Sequence, residues 1–321
     1  MFKRSDFDRA AAIVYAAMPP TPQYAWPLIA EATQCECWVK HENHTPTGAF
    51  KVRGGLVHMR LRKERGEARG VITATRGNHG QSIPFAARRE GIPATIVVPK
   101  GNSLEKNAAM RALGCTLIEM GEDFDEARET AIGLAKEKGL DMVASFHPEL
   151  VAGVATYAHE LFAAAGELDA VYVPIGLGSG ICGVIAMRDL LGLKTKVIGV
   201  VAERANAYRL SYDAKRAVPT NSALSFADGM AVRVPHPDAV AAINRGAERI
   251  VEVGEDEIAE AMRLYFRATH NVAEGAGAAA LAALTKERAQ MKGKRVGLVL
   301  SGGNIDAPKF AQVLQGRTPL P

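Results

Sequence analysis

Short apolar runs alternate with longer amphipathic stretches along most of this chain. The apolar runs are rich in Val, Ile and Ala, and their length suits strands that are buried on both faces of a sheet. Nine segments fit this description: Cys35–Val39, Gly70–Ala74, Ala94–Val98, Thr116–Met120, Met142–Ala144, Ala170–Pro174, Lys196–Ala202, Arg249–Val253 and Arg295–Ser301. The stretches between them repeat apolar residues at helical spacing. The predicted helices are Gly80–Glu90, Ser103–Leu113, Phe124–Lys138, Ala152–Ala165, Gly180–Leu191, Asp256–Thr269 and Gly277–Gln290.

This repeated alternation of strand and helix predicts an α/β protein in which parallel sheets are flanked by helices. Ser103 and Asp256 are expected as helix N-caps. The segment Ala205–Pro237 keeps no period for long and contains several prolines and tyrosines. We interpret it as a functional loop or the rim of a site.

Composition narrows the class of protein. The chain has 321 residues, of which 48% are hydrophobic and 23% are charged, as in an ordinary globular protein of two lobes or one large one. The formal net charge of +4 is small for this length. Because no basic block with interleaved aromatic residues occurs, nucleic-acid binding has no support, whereas small anionic ligands fit the charge.

The cysteines and the apolar runs indicate the compartment. The four cysteines, Cys35, Cys37, Cys115 and Cys182, are too few for a disulfide framework and form no C-x-x-C metal pair. We expect them to be buried thiols in a reducing compartment. The N-terminal stretch has no long apolar core and no run reaches about 18 apolar residues. The sequence therefore predicts a cytoplasmic protein without membrane association.

One lysine stands at a junction between a turn and a helix. Lys51 lies in the segment Phe50–Gly55, directly after a loop that contains Pro46 and Gly48. A lysine amine becomes a nucleophile when its surroundings lower its pKa, and its commonest use is a Schiff base with a carbonyl such as pyridoxal phosphate. A solvated surface lysine is the ordinary interpretation of a single lysine, so other motifs must support this role.

A glycine-rich turn joins a predicted strand to a predicted helix. It consists of Gly176, Leu177, Gly178, Ser179 and Gly180. Glycines let backbone N–H groups approach an anion, and the helix start adds partial positive charge, so the turn is typical of a phosphate site. Gly178 to Gly183, followed by Glu203, also satisfies a dinucleotide fingerprint. A phosphate ester, a nicotinamide dinucleotide and an unliganded turn all remain open.

Two further strand ends carry polar residues. The first leads into the loop of Thr75, Arg76, Gly77, Asn78 and His79, whose donors suit a carboxylate at a helix N-terminus. The second leads into Ser301-Gly302-Gly303-Asn304, and ligands collect at the carboxyl ends of parallel strands. Glu274 precedes another glycine-bearing helix start. A lysine, a phosphate turn, a carboxylate loop and a strand-end serine together favour a pyridoxal phosphate site.

Over almost its whole length, the chain resembles the fold-type II pyridoxal phosphate enzymes, specifically the threonine/serine dehydratase and serine racemase family. The segment from Pro46 to Gly54 is similar to the cofactor-lysine motif of that family. The segment from Arg76 to Gln81 is similar to its substrate-carboxylate loop, and Ser301 to Asn304 to its pyridine-nitrogen motif.

The resemblance implies a role for each matching residue. Lys51 forms the Schiff base, Phe50 packs against the cofactor ring and Asn78 contacts its phenolic oxygen. Ser301 meets the ring nitrogen, while Gly176, Leu177, Gly178, Ser179 and Gly180 hold the phosphate. Glu274 and Gly302 complete the expected cofactor site. The expected substrate-binding residues are Thr75, Arg76, Gly77, Asn78, His79 and Arg128.

The resemblance also implies an architecture and a reaction. The fold is the two-lobed one of the tryptophan synthase beta subunit, with residues 1–66 and 146–321 in a large cofactor lobe and 67–145 in a small lobe. A homodimer is the usual state of the family. The implied reaction eliminates water from a small β-hydroxy amino acid (serine, threonine or 3-hydroxyaspartate) and gives a 2-oxo acid and ammonia.

The sequence departs from the family pattern in several places. Leu177 and Ser179 interrupt the usual glycine run. Arg76 stands where the racemases carry a serine base, and an arginine does not deprotonate at ordinary pH. In the divalent-cation site of the family, Arg209 replaces an aspartate, and we expect it to pair with Glu203 in place of a metal ion. The chain ends soon after Asn304, so no regulatory domain is expected.

Four alternatives stay open at this level. An amino-acid racemase and a β-replacement enzyme share the fold, although Arg76 speaks against the first and the lysine motif against the second. A nicotinamide-dependent dehydrogenase rests on the glycine fingerprint and Glu203. A non-catalytic binding protein is disfavoured by the intact Lys51.

Overall fold

The computed structural model of the chain describes residues 2–67, 69–122 and 124–321. Its strands are β1 Gln23–Ala25, β2 Glu36–His41, β3 Val71–Ala74, β4 Ala94–Val98, β5 Thr116–Glu119, β6 Asp141–Met142, β7 Ala170–Pro174, β8 Lys196–Ala202, β9 Arg249–Val253 and β10 Arg295–Leu300. Its first seven helices are α1 Arg4–Tyr15, α2 Pro27–Thr33, α3 Lys51–Glu64, α4 Asn78–Glu90, α5 Leu104–Ala112, α6 Phe124–Lys138 and α7 Pro148–Ala165. The others are α8 Ser179–Leu190, α9 Ala207–Ala214, α10 Pro237–Gly246, α11 Glu255–Thr269, α12 Gly275–Lys286, α13 Arg288–Met291 and α14 Ala307–Leu314. Single 3-10 turns cover Glu42–His44, Glu203–Ala205 and Asp228–Met230.

The strands form two sheets. The larger sheet has six strands in the order β1-β2-β10-β7-β8-β9, and every neighbouring pair is parallel except β1 with β2. The smaller sheet is parallel throughout, in the order β5-β4-β3-β6. Its strands all come from residues 71–142, which lie inside the small lobe expected from the sequence, 67–145. The exact lobe boundaries stay a prediction.

Helices cover both faces of each sheet, because the strands are apolar on both sides. In β8 every residue except Lys196 is buried, as expected for a parallel strand between two helical layers. Helices α7 and α8 pack on one face of the large sheet, and α11 and α12 on the other. The small sheet lies between α6 on one face and α3 with α4 on the other. The fold is thus the α/β arrangement that the alternating pattern predicts.

The strand predictions are confirmed, and the errors lie at element ends. All nine predicted strands are present, and β4, β7, β8 and β9 have the predicted bounds. Strand β6 is shifted toward Asp141, and the sequence missed β1, whose three residues are too few to show a period. The helix predicted over Gly277–Gln290 is broken at Glu287, whose carboxylate accepts hydrogen bonds from Tyr172 and Arg249. The irregular segment Ala205–Pro237 contains α9, a helix of two turns.

One expected cap is confirmed and one is wrong. The Ser103 hydroxyl accepts a hydrogen bond from the Lys106 N–H at 3.0 Å. Asp256 is not a cap but lies inside α11, whose N-cap is Gly254. The Glu257 carboxylate accepts the Gly254 N–H at 2.7 Å, which is the half of a capping box that the third helical residue provides.

The four cysteines form no disulfide with one another, and three of them are buried. Burial raises the pKa of Cys37 and Cys182 to about 12, so these thiols are unreactive at neutral pH. Cys115 is only partly buried, which corrects the expectation of four buried thiols. Across the described ranges, no helix combines the length and the apolar character needed to cross a membrane.

A buried network of four charges fixes the start of α3. The Arg53 guanidinium donates to Glu42 at 2.7 Å and to Glu160 at 2.6 Å, and all three side chains are almost fully buried. The buried ammonium of Lys40 completes the network through a contact of 2.6 Å with Glu160. Two positive and two negative charges balance, which makes their burial tolerable. Arg53 lies two residues beyond Lys51, so the network anchors the first turn of the helix that carries the lysine.

We predict that Glu160→Gln lowers the free energy of unfolding by about 3 kcal/mol, because removal of one partner from a buried ion pair leaves the others uncompensated. Urea denaturation followed by circular dichroism measures the change. The matched control is Glu248→Gln, which breaks an exposed pair with Lys196 and should have a much smaller effect. Equal effects of the two substitutions would contradict the assigned role of the network.

Candidate active site

Lys51 is the first residue of α3 and faces the interior of a cleft. Its Nζ lies 3.1 Å from the hydroxyl oxygen of Ser179 and 5.1 Å from the centre of the Phe50 ring. Desolvation by burial lowers the pKa of Lys51 from 10.5 to about 8. The backbone carbonyl of Lys51 is held by the Ser82 hydroxyl at 2.7 Å. The amine is therefore fixed in place and loses its proton more readily than the amine of an exposed lysine.

The glycine-rich turn lies opposite Lys51, between β7 and α8. At Gly176 a Cβ would come within 2.3 Å of the Gly229 carbonyl oxygen, so only glycine fits. Gly178 adopts a φ of +99°, which favours glycine, and it is the N-cap of α8. The Tyr208 hydroxyl donates to the Leu177 carbonyl at 2.8 Å and holds the turn from outside. The turn thus presents its N–H groups and the helix start to the cleft.

The predicted carboxylate loop links β3 to α4. The Thr75 hydroxyl accepts the Gly77 N–H at 3.1 Å and shapes the turn in front of the helix. His79 is buried, and burial together with the neighbouring Lys51 charge lowers its pKa to about 3, so its ring is neutral. No described residue forms a hydrogen bond with its Nε2. The Arg76 side chain is exposed at the mouth of the cleft.

A chain of amide and carboxyl groups orients Asn78. The Asn78 Nδ2 donates to a Glu274 carboxylate oxygen at 2.6 Å, and its Oδ1 accepts from the Asn304 side chain at 2.8 Å. Asn304 also donates to the Thr47 carbonyl at 2.8 Å. Burial raises the pKa of Glu274, which lies at the back of the cleft. These bonds link the lysine loop, the carboxylate loop and the C-terminal motif.

The C-terminal motif is joined directly to the lysine loop. Ser301 is buried directly after β10, and its carbonyl accepts the Phe50 N–H at 3.0 Å. Gly302 forms a bridge with Ala49, and a Cβ on Gly302 would come within 2.6 Å of a Glu274 oxygen. The position of Ser301 relative to Lys51 is therefore set by backbone contacts.

The cleft between the sheets has a volume of about 440 Å³ and gathers nearly all of the predicted residues. Those that line it are Phe50, Lys51, Thr75, Arg76, Gly77, Asn78, His79, Gly176, Leu177, Gly178, Ser179, Gly180, Glu274 and Ser301. Residues 221–224 and 228–234 also line it, in agreement with the rim that the irregular segment predicts. Gly302 lies directly behind this wall, against Glu274.

Two predicted residues have other surroundings than expected. Arg128 lies on the exposed face of α6 and does not line the cleft in this structure. Arg209 donates to Asp213 and to the Ile250 carbonyl, both at 2.8 Å. The expected ion pair of Arg209 with Glu203 is therefore wrong, because a partner one helical turn away competes for the guanidinium.

The sequence missed the ion pairs that cross the cleft. The ammonium of Lys106, on α5, lies 3.0 Å from the Asp228 carboxylate. Although burial lowers the pKa of Lys106, the nearby Glu274 and Asp228 carboxylates raise it above its usual value. Arg233 on the rim pairs with Asp125 at the start of α6. The position of Asp228 in the irregular segment already indicated that it could lie near the site. Its partner Lys106 could not be predicted, because the two residues are more than a hundred positions apart and no local pattern links them.

These residues fit pyridoxal phosphate. The glycine turn brings backbone N–H groups and the start of α8 to the cleft, as a phosphate requires, and Lys51 offers an amine of lowered pKa. The unpartnered Nε2 of His79 leaves a buried polar group available to a bound molecule. A buried lysine amine that faces a glycine-rich helix start, between parallel sheets, defines a pyridoxal phosphate site of an α/β enzyme.

Comparison with known proteins agrees with this class. The sequence profile of the family described as "Pyridoxal-phosphate dependent enzyme" matches residues 14–302. The chain therefore belongs to this family of pyridoxal-phosphate-dependent enzymes, and its cofactor is pyridoxal phosphate. The nicotinamide alternative is thereby wrong: the glycine fingerprint is part of a phosphate turn in this fold.

Sequence relatives are lyases of the family. The chain is 35% identical over 288 residues to an L-threonine ammonia-lyase of Thermotoga maritima, which covers 89% of the chain and 72% of the relative. It is 31% identical over 297 residues to an L-threo-3-hydroxyaspartate ammonia-lyase of a Pseudomonas species, with coverage of 92% and 93%. The chain spans only 58% of the length of the biosynthetic L-threonine dehydratase of Salmonella typhimurium, to which it is 35% identical. These relatives place the chain among the pyridoxal-phosphate-dependent lyases.

One solved structure with the same fold is that of an enzyme named for a different reaction. A pyridoxal 5'-phosphate-dependent aspartate racemase superimposes with a TM-score of 0.90 at 29% identity, covering 95% of this chain and 97% of that one. The two-lobed fold-type II architecture expected from the sequence is thereby confirmed. Lyases and a racemase share this fold, so the reaction must be argued from the site residues.

We predict that Gly178→Ala weakens the binding of pyridoxal phosphate to the apo-protein by more than about tenfold. An alanine Cβ there would lie 2.7 Å from the Ala239 Cβ and would strain a left-handed backbone, so the N–H groups at the start of α8 would shift. Absorbance titration measures the affinity. The control is Gly192→Ala, with a φ of +67° but open space around it, which should cost stability without changing the affinity.

We also predict that the rate of adduct formation between Lys51 of the apo-protein and pyridoxal phosphate rises as the pH increases through about 8. Only the neutral amine is nucleophilic, and burial lowers the pKa of Lys51 to about 8. Borohydride reduction followed by peptide mass spectrometry identifies the labelled residue. A midpoint near 10.5, or a label on another lysine, would show that burial does not activate Lys51.

Proposed function

We propose that the protein is an ammonia-lyase that eliminates water from a small β-hydroxy amino acid and releases a 2-oxo acid and ammonia. The observation that carries the proposal is the buried amine of Lys51, with a pKa of about 8, held 3.1 Å from Ser179 in a cleft closed at the back by Glu274. Two sequence relatives that match most of the chain carry ammonia-lyase names, which supports the same reaction class.

Among Lys51, His79 and Lys106, the lysine and histidine side chains that line the cleft, Lys51 is the best suited to act as a base. Its lowered pKa leaves a large neutral fraction near pH 8. His79 is a weak base, with a pKa of about 3, and the ion pair with Asp228 keeps Lys106 protonated. General-base catalysis works best when the pKa lies near the working pH. We therefore assign removal of the substrate Cα proton to the Lys51 Nζ.

The other residues hold the reactants around this amine. The start of α8, at Gly178 and Ser179, would bind the cofactor phosphate, and Ser301 would offer a neutral hydroxyl to the ring nitrogen. When bound, pyridoxal phosphate supplies an electron-withdrawing system to the Cα of the substrate. Glu274 keeps Asn78 turned with its amide toward the cleft wall. The start of α4, at Gly77 and Asn78, would bind the substrate α-carboxylate.

Arg76 favours elimination over racemisation. Racemisation needs a second base on the opposite face of the cofactor, and an arginine at this position does not supply one at ordinary pH. The aspartate racemase of the same fold makes the comparison necessary, since the fold by itself permits both reactions. A single base, Lys51, fits a reaction in which the Cα proton leaves and the β-hydroxyl follows.

The activity itself is tested with the cofactor-loaded protein and L-serine, L-threonine and L-threo-3-hydroxyaspartate. We expect 2-oxo acid and ammonia in equal amounts, and an at least about thousandfold loss of rate in Lys51→Ala because the base is removed. Chiral chromatography of the remaining substrate measures racemisation in the same samples. No 2-oxo acid from any of the three, or racemisation faster than elimination, would refute the proposed reaction.

We further propose that Arg76 recognises the side-chain carboxylate of 3-hydroxyaspartate. Within the described part of the chain its guanidinium forms no hydrogen bond or ion pair, although it lies at the mouth of the cleft beside the carboxylate loop. Arginine binds carboxylates with two parallel hydrogen bonds. The Pseudomonas relative, named for this substrate, matches the chain almost end to end, which supports the choice.

We predict that Arg76→Ala lowers kcat/KM for 3-hydroxyaspartate by about 10- to 100-fold, the worth of a hydrogen bond between charged groups, and lowers kcat/KM for threonine much less. The control is Arg128→Ala, since Arg128 is exposed on α6 and should leave both values unchanged. Equal losses for the two substrates would mean that Arg76 binds the α-carboxylate or only shapes the loop.

The cytoplasmic location and the homodimer stay proposals. Both rest on the family resemblance and on the ordinary composition of the chain. Analytical ultracentrifugation of the purified protein tests the dimer directly.

A further inference from the structure

A second cluster of possible metal ligands lies outside the cleft, where α3 meets the start of α7. It consists of His58 on α3, His147 at the N-cap of α7 and Glu149 in the first turn of α7. One ligand atom from each residue lies within 4.8 Å of the other two. The Nδ1 of His58 is 2.6 Å, and that of His147 is 3.7 Å, from the same oxygen of Glu149.

We propose that His58, His147 and Glu149 form a binding site for Zn²⁺ or a similar transition-metal dication, with water as the fourth ligand. Two imidazoles and one carboxylate are a ligand set that zinc uses in proteins, where an open position holds water. A tetrahedral zinc site with ligand distances near 2.0 Å separates its ligand atoms by about 3.3 Å. Movements of about 1 Å bring these three groups to that spacing.

The side chains of the cluster already contact one another through the atoms that a cation would bind. The Nδ1 of His58 forms a hydrogen bond with Glu149 at 2.6 Å, and the Nδ1 of His147 accepts the Glu149 N–H at 3.2 Å. A bound metal ion would replace these contacts with bonds to neutral imidazoles and a carboxylate, the forms that bind metals.

The surrounding charges leave room for a dication. Arg65 donates to the second oxygen of Glu149 at 2.5 Å and also pairs with Glu67. Arg62 pairs with Asp141 at 2.6 Å. Two guanidinium groups therefore face three carboxylates, counting Glu149, and the neighbourhood carries one net negative charge before a metal binds. Arg65 also holds Glu149 from behind, as the hydrogen-bonded partners of metal-bound carboxylates do.

The site lies at a position from which it can act on the cleft. Helix α3, which carries His58, starts at Lys51. His147 lies two residues after Ser145, which lines the cleft, with Phe146 between them. The Phe146 ring stacks on His236, near the end of the irregular segment Ala205–Pro237, with ring centres 4.5 Å apart. A metal ion would tie α3 to α7 and restrain the segment that leads from β6 into the large sheet. The binding itself does not depend on the proposed reaction.

The test uses the cofactor-loaded protein without an affinity tag, dialysed against a chelator. Calorimetric titration with Zn²⁺ gives the stoichiometry, and the visible spectrum of the Co²⁺ form reports the coordination geometry. We expect one equivalent per chain, the intense absorption of four-coordinate Co²⁺, and a thermal midpoint that rises by a few degrees with Zn²⁺. Mg²⁺, which prefers oxygen ligands, should not compete.

The ligands are tested by substitutions that keep the local structure. His147→Ser removes the imidazole but retains a good N-cap for α7, and it should weaken Zn²⁺ binding more than tenfold and abolish the thermal shift. His270→Asn is the matched control: His270 is exposed with a φ of +52°, a conformation that asparagine tolerates. Glu203→Gln serves as the control for the cation position of the related family.

We expect both controls to bind like the unmodified protein. Absence of Zn²⁺ uptake, the weak spectrum of six-coordinate Co²⁺, or unchanged binding by His147→Ser would each overturn the proposal. Loss of binding in Glu203→Gln together with retention in His147→Ser would place the metal elsewhere and would also overturn it. The Co²⁺ spectrum of the unmodified protein decides the matter even if a variant does not fold.

Discussion

The balanced burial of four charges around Arg53 is the constraint on which the site depends. A guanidinium with no access to water is tolerable only because Glu42 and Glu160 neutralise it at hydrogen-bond distance, with Lys40 sharing the second carboxylate. These residues come from β2, the turn after it, α3 and α7, so the network ties together the elements that surround the lysine loop. It fixes the direction in which α3 begins, and with it the position of Lys51. Because these side chains are buried and linked by several short contacts, they restrain the start of α3 and the lysine two residues away.

The two lysines of the cleft, Lys51 and Lys106, differ in how readily they lose a proton. Lys51 is buried and has no carboxylate partner among the residues that the structure describes, and desolvation lowers its pKa to about 8. Lys106 is also buried, but Asp228 and Glu274 keep it charged. Two lysines in one cleft thus differ in chemistry through their neighbours. The charged lysine pairs across the cleft, and the weakly basic one is available for proton transfer.

The motifs around the lysine were predictable because each is written in consecutive residues. The glycine turn at Gly176–Gly180 and the loop at Thr75–His79 follow buried strands, and parallel strands end at the same edge of their sheet. Placing Arg128 and Arg209 required knowledge of which way a helix face points. Arg128 turns out to be exposed, and Arg209 finds Asp213 one turn along its own helix. A small change in helix phase decides such contacts, and the printed sequence does not show it.

The sequence by itself determined the α/β class, the strands, the lysine motif and the family resemblance, since apolar periodicity and glycine positions are local properties of the chain. Only the tertiary structure decided which charges meet. The pairs Lys106 with Asp228 and Arg53 with Glu160 join residues more than a hundred positions apart. The cluster of His58, His147 and Glu149 likewise exists only because α3 packs on α7. Such contacts arise from the burial of apolar helix faces, and polar groups at their edges are brought together as a consequence.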